Sequence, residues 1–462
     1  MTAGRSTLRW SDLRQARVGV WGLGKEGQAT VRKLRTLAIA PVLVDDIPND
    51  SGVLSTADGG LEALRTCEVV IKTPGISPYC PEADELREAG VTLAGGLGLW
   101  VNEADLSRVV YVTGTKGKST TSSVIGHLLR GLGCKVMVGG NFGAAPYDPE
   151  QAGDFDFWVI EVSSYSAADL AATPPVTAVT SLHPDHLPWH GSVERYYADK
   201  LSATAQPGAV LTVANGDSAL LRERAALLAP RVAWVSDADE PGASWMDRLG
   251  LPGRHNRRNA LIARRVLTAL GIPGADDDGR LGAAADGFAP LPSRLTPVGT
   301  VDGVTFIDDS LSTNVLPTLA ALESFPGSRV ALIVGGQDRG IDYAPLAQGV
   351  RGRQEPTVVL TLPDSGPRIA AAFAAAGTTG GGVVSAASGG SAGSAASGGS
   401  ASSAGFSGVI ECQDMRSAVG EAYRWARPDG IVLLSPAAPS FGRFRDYRDR
   451  GDQFAAAMRA LS

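Results

Sequence analysis

Short apolar runs alternate with amphipathic stretches along most of this chain. Near the start, ARVGVWGL is followed by the amphipathic stretch GKEGQATVRKLRTL and then by PVLVDD, which predicts a strand, a helix and a second strand. Two further apolar runs, CEVVIKTPG and GVTLAGGLGLW, are expected to extend the same sheet to about residue 105. This βαβ arrangement implies parallel strands, because the helix carries the chain back to the end at which the first strand began.

The same alternation begins twice more. A strand, a glycine-containing loop and an amphipathic helix are predicted in RVVYVTGTKGKSTTSSVIGHLLRGLG, and strands follow in FDFWVIEV, VTAVTSL and AVLTVA. LPGRHNRRNALIARRVLTALG predicts a helix that opens after a Pro-Gly turn. In the last third, strands are predicted in VTFIDDS, RVALIVGG, PTVVLTL and GIVLLSP, with a helix in NVLPTLAALESF after the first of them.

These repeats predict an α/β protein built from three domains. With 462 residues the chain is too long for one ordinary core, and ~150 residues per domain gives the same number. We place the domains at residues 1–107, 108–292 and 293–462. Within the third, residues 377–405 are dominated by Gly, Ser and Ala and are too poor in large apolar groups to pack, so we expect a flexible surface insertion rather than a partner-binding loop.

Composition narrows the class of protein. The chain is 44% hydrophobic and 19% charged, with no apolar run of membrane-spanning length, which is typical of a soluble globular protein. The first residues lack the apolar core of a secretory signal, so we expect a cytoplasmic protein without a membrane partner. A net charge of −6 argues against nucleic acid as a partner. The four cysteines are far apart and form no C-x-x-C pair, which predicts reduced thiols.

The strongest local motif is GTKGKST at residues 114–120, between a predicted strand and a predicted helix. The backbone N–H groups of such a loop point at phosphate oxygens, and the helix N-terminus adds positive potential. Lys118 is expected to neutralise the β- and γ-phosphates, and Ser119 or Thr120 to offer a hydroxyl to Mg²⁺. The chain has Val112 where the usual phosphate-loop pattern has a glycine, so the match is incomplete and an ordinary glycine-rich turn is the alternative.

A second glycine-containing loop, GLGKEG at residues 22–27, follows the first predicted strand and matches the G-x-G-x-x-G dinucleotide fingerprint. Asp45 and Asp46 end the next strand, where a carboxylate can accept from a ribose hydroxyl or a base edge. The fingerprint does not identify the nucleotide. NAD and a nucleotide-sugar such as a UDP-sugar are both open, and the separate ATP-type loop makes the UDP-sugar at least as good a candidate.

A third group of polar residues follows the predicted strand VTAVTSL. It comprises the segment TSLHPDH at residues 180–186, then His190 and Lys200, and Glu161 ends a neighbouring strand. The carboxyl ends of parallel strands meet at the edge where ligands bind. The histidine spacing matches no common zinc site, whereas a Mg²⁺-nucleotide site with oxygen ligands fits better. Surface histidines on a loop are the alternative without a function.

Together these residues resemble a known family. GTKGKST, GGN at residues 139–141, IEVSSYS, HPDH with Lys200 beyond it, LPGRHNRRNA, DDSLSTN, GGQDRG and SPAAPSFGRFRDYRDRGDQF occur in an order that resembles the Mur ligases, over essentially the whole chain except the Gly/Ser insertion. Within the family, the resemblance is strongest to the glutamate-adding members. It implies a Rossmann-like N-terminal domain that binds a UDP-substrate, a central P-loop ATPase-type domain and a Rossmann-like C-terminal domain that binds the amino acid.

The resemblance also implies roles for individual residues. The ATP-binding set would be Gly114, Thr115, Lys116, Gly117, Lys118, Ser119, Thr120, Asn259, Arg294 and Asp309. Mg²⁺ would be held by Ser119 and Glu161, with a second metal position at His186 and a carbamylated Lys200. The UDP-substrate would contact Gly24, Lys25, Glu26, Asp45, Asn141 and Ser163, and the amino acid would contact Thr313, Arg339, Ser440 and Tyr447. The implied catalytic set is Lys118, Glu161, His186 and Lys200.

The activity that the resemblance implies is an ATP-dependent ligation in peptidoglycan precursor synthesis. The γ-phosphoryl group of ATP would pass to the carboxylate of UDP-N-acetylmuramoyl-L-alanine, and the amine of glutamate would then displace phosphate from the acyl phosphate. ATP and Mg²⁺ are the implied cofactors. A monomer without a nucleic-acid or membrane partner is expected.

The chain departs from the family pattern at two positions. Members that add D-glutamate usually have a lysine where this chain has Leu311 and another where it has Arg339. Losing one cation and replacing the other by a planar guanidinium changes how a dicarboxylate is held. The pattern also resembles the members of the family that add L-glutamate, so we favour L-glutamate as the added amino acid, with D-glutamate as the alternative. More distant alternatives are a folylpolyglutamate synthase-like ligase, an NAD-dependent oxidoreductase and a non-enzymatic nucleotide-binding regulator.

Overall fold

The computed structural model describes residues 5–47, 52–377, 384–385 and 405–461. This part of the chain forms three β-sheets, of five, six and seven strands, in which every pair of neighbouring strands except β12 with β13 is parallel. The predicted α/β class with parallel sheets is therefore confirmed. The predicted Gly/Ser insertion at residues 377–405 lies outside the described residues, apart from its two end residues and residues 384–385.

The first sheet has the strand order β3-β2-β1-β4-β5. Its strands are β1 (Val18–Trp21), β2 (Val42–Asp45), β3 (Leu54–Ser55), β4 (Val69–Lys72) and β5 (Thr92–Gly95). The helices of this region are α1 (Lys25–Thr36), α2 (Gly60–Arg65), α3 (Pro81–Glu88) and α4 (Gly96–Val101). The predicted strand–helix–strand unit is confirmed as β1, α1 and β2.

One prediction for this region is confirmed only for the first part of an apolar run, which forms β5 next to β4. The run GVTLAGGLGLW was expected to extend the sheet, but the strand ends at Gly95 and the rest of the run forms α4. Leu97, Leu99 and Val101 of this helix are all buried. A short apolar run that is buried on most sides carries no periodicity that separates a strand from a helix.

The second sheet has the strand order β11-β10-β9-β6-β8-β7. Its strands are β6 (Val109–Thr113), β7 (Val136–Gly140), β8 (Phe157–Glu161), β9 (Val176–Val179), β10 (Leu211–Asn215) and β11 (Arg231–Val235). The helices of this region are α5 (Lys118–Gly131), α6 (Ser164–Ala167), α7 (Leu187–His190), α8 (Val193–Ser202), α9 (Ala219–Glu223), α10 (Arg254–Ala269) and α11 (Asp278–Ala285). The four predicted strands of this region and the predicted helix after the Pro-Gly turn are confirmed, whereas β7 and β11 were not predicted.

The third sheet has the strand order β12-β13-β18-β14-β15-β17-β16. Its strands are β12 (Thr296–Val301), β13 (Val304–Asp308), β14 (Val330–Val334), β15 (Thr357–Thr361), β16 (Val384–Ser385), β17 (Phe406–Glu411) and β18 (Ile431–Leu434). The helices are α12 (Val315–Leu322), α13 (Ala344–Arg351), α14 (Gly366–Ala375), α15 (Met415–Ala426) and α16 (Tyr447–Arg459). Separate apolar clusters cover this sheet, one including Leu332 and Phe373 and the other including Ile333 and Phe454.

Short 3₁₀ helices complete the secondary structure, at Trp10–Gln15, Leu106–Arg108, Pro149–Gln151, Ala225–Leu227 and Ser244–Leu249. None of the helices in the described part of the chain combines the length and the apolar character that crossing a bilayer requires. All four cysteines are free thiols, as their spacing predicted.

The chain divides into two compact units. One comprises the residues up to 249 together with 256–288, and the other comprises 250–255 together with the residues from 289 onwards. The first unit contains two sheets because they share a core, which includes Val20 and Leu34, Leu99 of α4, and Tyr111 and Ile160 of the second sheet. The predicted boundary at residue 107 thus separates two sheets along the chain rather than two compact units, and the three domain ranges stay a prediction.

Candidate functional site

The loop at residues 114–120 lies between β6 and α5, where the sequence predicted it. Gly117 caps α5 with φ 88°, and a Cβ there would lie 2.9 Å from Oδ1 of Asn259. Only glycine adopts this φ without strain, and its missing side chain lets Asn259 approach the loop. Lys118 is the first residue of α5, and its Nζ donates to the Thr115 carbonyl at 3.3 Å. The loop, Lys118 and Asn259 are therefore brought together as predicted.

Hydroxyl groups that follow β9 brace this loop. Ser181 Oγ accepts from the Lys116 N–H at 2.8 Å and donates to the Lys116 carbonyl at 2.9 Å. Thr180 Oγ1 donates to the same carbonyl at 2.5 Å. On α8, the Tyr196 hydroxyl lies 2.7 Å from Thr115 Oγ1. The sequence had grouped Thr180 and Ser181 with the histidines, and their bracing role was missed, although hydroxyls directly after a strand at the ligand-binding edge were a usable signal.

Lys200 is buried next to the same loop. It lies on α8, and its Nζ donates to the Gly114 carbonyl at 3.0 Å. The ammonium lies 5.1 Å from the centroid of the Tyr196 ring. Burial, together with the charge of Lys118, lowers the pKa of Lys200 well below its usual range. At a given pH, a larger fraction of Lys200 is therefore in the neutral amine form than for an exposed lysine.

Glu161 ends β8 and is buried. Its Oε1 accepts from Asn141 Nδ2 at 2.6 Å, and the Asn141 N–H donates to the Glu161 carbonyl at 2.9 Å. Two predicted site residues are thus in direct contact. Two residues further on, Ser163 caps α6, with its Oγ accepting from the Ser166 N–H at 3.0 Å.

His186 lies between β9 and α8 with its side chain half exposed. Its Nε2 is 3.8 Å from Oδ2 of Asp185, and the same carboxylate oxygen is 3.7 Å from Lys116 Nζ. Burial lowers the pKa of His186, Asp185 opposes this, and the charges of Lys200, Lys116 and Lys118 lower it further. The predicted metal-site histidine therefore shares one electrostatic environment with the predicted phosphate-binding lysines.

The residues around the loop fit a Mg²⁺-nucleotide site better than a closed metal cage. In the part of the chain that the structure describes, no group of three or more His, Cys, Asp or Glu side chains could hold a metal ion. Glu161 instead offers a buried Oε2 that has no hydrogen-bond partner among those residues. Ser119 follows Lys118 in the first turn of α5. Because Mg²⁺ takes few ligands from protein and the rest from phosphates and water, these oxygen donors fit the predicted ion.

A chain of hydrogen bonds connects α8 to the first sheet. His190 is buried between Asp199 and Ser164, with Nδ1 2.7 Å from Asp199 Oδ2 and Nε2 3.0 Å from Ser164 Oγ. The Tyr79 hydroxyl, from the segment before α3, donates to Asp199 Oδ1 at 2.7 Å. These are the residue types of a nucleophilic triad, but Ser164 is only 2% exposed and has no access to a substrate. The sequence had singled out His190 and missed its two hydrogen-bond partners, Asp199 and Ser164, as well as the contact between Tyr79 and Asp199.

The first glycine-containing loop lies between β1 and α1, as predicted. Gly24 caps α1. Asp45, at the end of β2, accepts from the Leu23 N–H at 2.5 Å and from the Ile47 N–H at 2.9 Å. One oxygen of Asp45 thus holds the loop and the other holds the segment after β2, so a ribose or base at the predicted contact would share these oxygens with backbone N–H groups.

The polar residues that follow Gly24 face the second sheet of the same unit. Lys25 Nζ donates to the carbonyl of Gly143. Burial raises the pKa of Glu26 to about 7, with Asp169 adding to the rise and Lys72 opposing it. Lys72 and Asp169 form an ion pair of 2.6 Å. Charged contacts therefore connect the two sheets that carry the glycine-containing loops.

The predicted amino-acid residues lie in the second unit, at the carboxyl edge of the third sheet. Thr313 follows β13, Ser440 follows β18 and Arg339 follows β14, and these strands are neighbours in the order β13-β18-β14. Tyr447 is the first residue of α16. Arg339 is exposed, with its Nε donating to Gln337 Oε1 at 2.9 Å. Four chain segments thus bring the predicted residues to one sheet edge.

Asp309 follows β13 and is buried in the same unit. Its Oδ2 accepts from Ser312 Oγ at 2.5 Å and from Ser435 Oγ at 2.7 Å, and its Oδ1 accepts from the Leu295 N–H at 3.2 Å. Burial raises the pKa of Asp309 to about 7, although the two serine hydroxyls act against the rise. Arg294 is the other residue of this unit that was predicted to bind the nucleotide. Its backbone N–H donates to Thr296 Oγ1 at 3.4 Å. Asp309 is therefore committed to bracing local segments, and the roles in nucleotide binding predicted for these two residues stay predictions.

The chain is similar to known proteins along nearly its whole length. Residues 112–267 match the family model "Mur ligase middle domain". A UDP-N-acetylmuramoyl-L-alanine--L-glutamate ligase of Micromonospora sp. is 38% identical, over 98% of this chain and 98% of that protein. Among solved structures, the UDP-N-acetylmuramate-alanine ligase MurC of Thermotoga maritima is 16% identical with a TM-score of 0.57, covering 97% of this chain and 100% of its own. MurF of the same organism, in complex with ADP, is 14% identical with a TM-score of 0.54, covering 99% of each chain.

Proposed function

The chain belongs to the Mur ligase family, and on that premise we propose that it is an ATP-dependent ligase that forms an amide bond between UDP-N-acetylmuramoyl-L-alanine and L-glutamate. The observation that carries this proposal is the braced loop between β6 and α5. Lys118, Lys200 and Glu161 meet there at the carboxyl edge of a parallel sheet, which is the edge where such sheets bind ligands. ADP in the MurF structure agrees with ATP as the second substrate.

The reaction that fits this site proceeds in two steps. A carboxylate oxygen of the alanine residue attacks the γ-phosphorus of ATP, the bond to the bridging oxygen breaks, and ADP leaves. The amine of glutamate then attacks the carbonyl carbon of the acyl phosphate, loses a proton, and inorganic phosphate leaves as the amide forms. Lys118 and the loop N–H groups are placed to stabilise charge on the phosphoryl oxygens in the first step.

We propose that Glu161 and Ser119 hold Mg²⁺, with His186 at a second metal position. When bound, the ion neutralises negative charge on the phosphate oxygens. The buried Oε2 of Glu161, which has no hydrogen-bond partner in the described chain, supports this assignment. Asn141 contributes by fixing the other oxygen of the same carboxylate.

We also propose that Lys200 is carbamylated. In that reaction the neutral amine attacks the carbon of CO₂, an N–C bond forms and a proton leaves the nitrogen, so that a cation is replaced by a carboxylate-like anion. Burial and the lowered pKa of Lys200 support it, because only the unprotonated amine is a nucleophile. Intact-mass measurement with and without bicarbonate tests this proposal, and an unmodified Lys200 in the active protein would contradict it.

The UDP-substrate is assigned to the first sheet and the amino acid to the third. For the first assignment, Gly24, Lys25, Glu26 and Asp45 lie at the loop after β1 and at the end of β2. Asn141 and Ser163 follow β7 and β8 of the second sheet, in the same unit. For the second assignment, Thr313, Arg339, Ser440 and Tyr447 share one sheet edge. The names of relatives such as the Micromonospora protein favour L-glutamate over D-glutamate, in agreement with Leu311 and Arg339.

The decisive experiment supplies purified protein with UDP-N-acetylmuramoyl-L-alanine, ATP, Mg²⁺ and either L- or D-glutamate. We expect phosphate release and a product larger by one glutamate residue with the L-enantiomer. Preference for D-glutamate would contradict the stereochemical assignment alone. Release with a different amino acid would contradict the glutamate assignment, and no dependence of phosphate release on any amino acid would contradict the ligase.

The other candidate functions have less support. A folylpolyglutamate synthase-like ligase leaves the first sheet and its glycine-containing loop without a substrate. An NAD-dependent oxidoreductase leaves the braced loop at Lys118 without a role, and a non-enzymatic regulator does not need the buried Lys200 and Glu161 beside that loop. A monomeric state and a cytoplasmic location stay predictions from the sequence.

A further inference from the structure

Arg450 is a fully buried arginine on α16, in the second unit. Its exposed fraction is 0%. Nη2 donates to the Ser310 carbonyl at 2.7 Å, and Nη1 donates to the carbonyls of Ala438 at 3.0 Å and Gly335 at 3.4 Å. Burial lowers the pKa of Arg450 only to about 10, so the guanidinium remains charged at neutral pH. One side chain therefore holds three backbone segments.

The three carbonyls lie beyond the ends of three neighbouring strands. Ser310 follows β13, Ala438 follows β18 and Gly335 follows β14. Within four residues, each of these segments reaches a residue of the proposed amino-acid site, in turn Thr313, Ser440 and Arg339. Tyr447, the fourth residue of that site, precedes Arg450 on the same helix by three positions. The guanidinium thus connects all four segments of the site.

The packing around the guanidinium is close. A Cβ at Gly336 would lie 2.2 Å from the Pro439 carbonyl oxygen and 2.8 Å from Arg450 Nη1. On another side, the ring of the buried Phe444 has its centroid 5.9 Å from the guanidinium carbon. A shift of Arg450 would therefore be passed on to the segments after β14 and β18.

We infer that Arg450 is a positioning residue of the amino-acid site, which fixes the segments carrying Thr313, Arg339 and Ser440 relative to one another. This inference rests on the proposed function. A guanidinium has five N–H donors in a fixed plane and can hold several carbonyls at once, whereas a lysine ammonium is a compact charge on a flexible stem. Rejection of the wrong glutamate enantiomer depends on the relative positions of the groups that hold the amine and the two carboxylates, so it depends on this residue.

The test compares Arg450→Lys with the wild type in steady-state ligation. We expect KM for L-glutamate to rise by about tenfold and the ratio of kcat/KM for L- over D-glutamate to fall, because a modest misplacement of binding groups costs rate and selectivity. KM for the UDP-substrate should stay within about twofold, since its proposed contacts lie in the other unit. A general loss of stability would lower the amount of active enzyme without producing this split.

Arg353→Lys is the matched control. Arg353 is 8% exposed in its side chain and also holds backbone carbonyls, those of Phe325 at 2.5 Å and Ser328 at 2.9 Å. These carbonyls precede β14, at the opposite edge of the same sheet. We therefore expect Arg353→Lys to lower thermal stability without changing KM for L-glutamate or the enantiomer ratio.

A second variant, Phe444→Leu, covers the case in which Arg450→Lys does not fold. It removes the ring beside the guanidinium and leaves all three carbonyl contacts possible, so a smaller change in the same direction is expected. The inference is overturned if a folded Arg450→Lys, or failing that a folded Phe444→Leu, keeps the wild-type KM for L-glutamate and enantiomer ratio. Failure of the wild type to use glutamate would overturn the proposed function instead, and the same comparison with the amino acid that is used would then test Arg450.

Discussion

Lys118 combines two sources of positive charge at one point of the chain. It is the first residue of α5, so its ammonium adds to the partial positive charge of the helix N-terminus. The Thr115 carbonyl, 3.3 Å from Nζ, holds the side chain over the loop. Such preorganised charge stabilises a phosphoryl group in transfer more than it stabilises bound ATP.

We therefore expect Lys118→Ala to lower the rate of ATP-dependent ligation by at least about 100-fold, with little change in the melting temperature. Phosphate release in the presence of both other substrates measures the effect. Lys135→Ala is the control, because Lys135 is an exposed lysine of the same unit that pairs with Asp154 at 3.5 Å. Near-normal turnover of Lys118→Ala would contradict the proposed phosphate-binding role of this loop.

Asp309 gives the second unit a pH-dependent stability. Burial raises the pKa of this carboxyl from 3.8 to about 7. Between these two values the folded state binds a proton that the unfolded state has released, so the free energy of unfolding falls as pH rises through this window. Asp309→Asn does not titrate, and we expect its melting temperature without ligands to rise relative to the wild type between about pH 5 and about pH 8.

The control for this prediction is Asp338→Asn. The Gly340 N–H and Arg368 lower the pKa of Asp338, so this residue is ionised in both states between about pH 5 and about pH 8. Its difference from the wild type should therefore stay constant with pH. An equally constant difference for Asp309→Asn would show that Asp309 is ionised at neutral pH in the folded protein.

Residues in local motifs could be predicted from the sequence, whereas residues that brace them could not. Gly117, Lys118 and Ser119 carry their signal in one loop of seven residues. Ser181 braces Lys116 across 65 positions of sequence, and Arg450 reaches Ser310 across 140. A single sequence contains no pattern that pairs such distant positions, and an isolated serine or arginine has no period from which burial can be read.

At the scale of elements, α8 connects two proposed binding regions. Lys200 faces the loop after β6, and the preceding Asp199 accepts from the Tyr79 hydroxyl of the first sheet's region. His190 extends the contact from Asp199 to Ser164 at the start of α6. The helix that carries Lys200 is thereby held in place from both sheets of the first unit.

Tyr79→Phe removes one hydroxyl from this connection. We expect kcat/KM for the UDP-substrate to fall by about three- to tenfold, consistent with ~1 kcal/mol for a hydrogen bond to a charged or buried partner. Tyr423→Phe is the control, since its hydroxyl donates to Asp302 at 2.5 Å in the other unit. Equal kinetics of Tyr79→Phe and the wild type would show that the contact does not position the substrate.

The order of strands and helices was predicted well where polar and apolar positions alternate along the chain. The predicted β1, α1 and β2 appear in that order, and α10 begins after the predicted Pro-Gly turn. The prediction failed at α4, where most side chains are buried and the pattern contains no polar face. Tertiary burial decided that element, and the local sequence does not encode it.

At the scale of the whole chain, the first unit depends on a buried ion pair between its sheets. Lys72 has a side chain that is 1% exposed, and its Nζ lies 2.6 Å from Asp169 Oδ2. Removing one member of such a pair leaves the other charge buried without a partner, which costs more than the pair itself contributes. The shared apolar core around Leu99 and Tyr111 surrounds the same junction.

Lys72→Met is expected to destabilise the first unit by about 3 kcal/mol, because Asp169 would lose its partner. Thermal unfolding of the protein without ligands measures this as a clear fall in the melting temperature of the first unit. Arg424→Ala breaks the exposed pair with Glu421, of 2.7 Å, and should change stability by less than about 1 kcal/mol. Unfolding of Lys72→Met at the wild-type temperature would mean that Asp169 is well solvated after the substitution.

The common core of the first two sheets has a consequence for protein engineering. A fragment that ends near residue 107 would expose the apolar side chains of α4 and β1 that pack against the second sheet, including Leu99 and Val20. Such a fragment should aggregate when produced alone, so we expect that the leading sheet cannot be produced as a separate domain. Chimeras between relatives should instead exchange residues up to about 288 as one block, because residues 256–288 belong to the same unit as those up to 249.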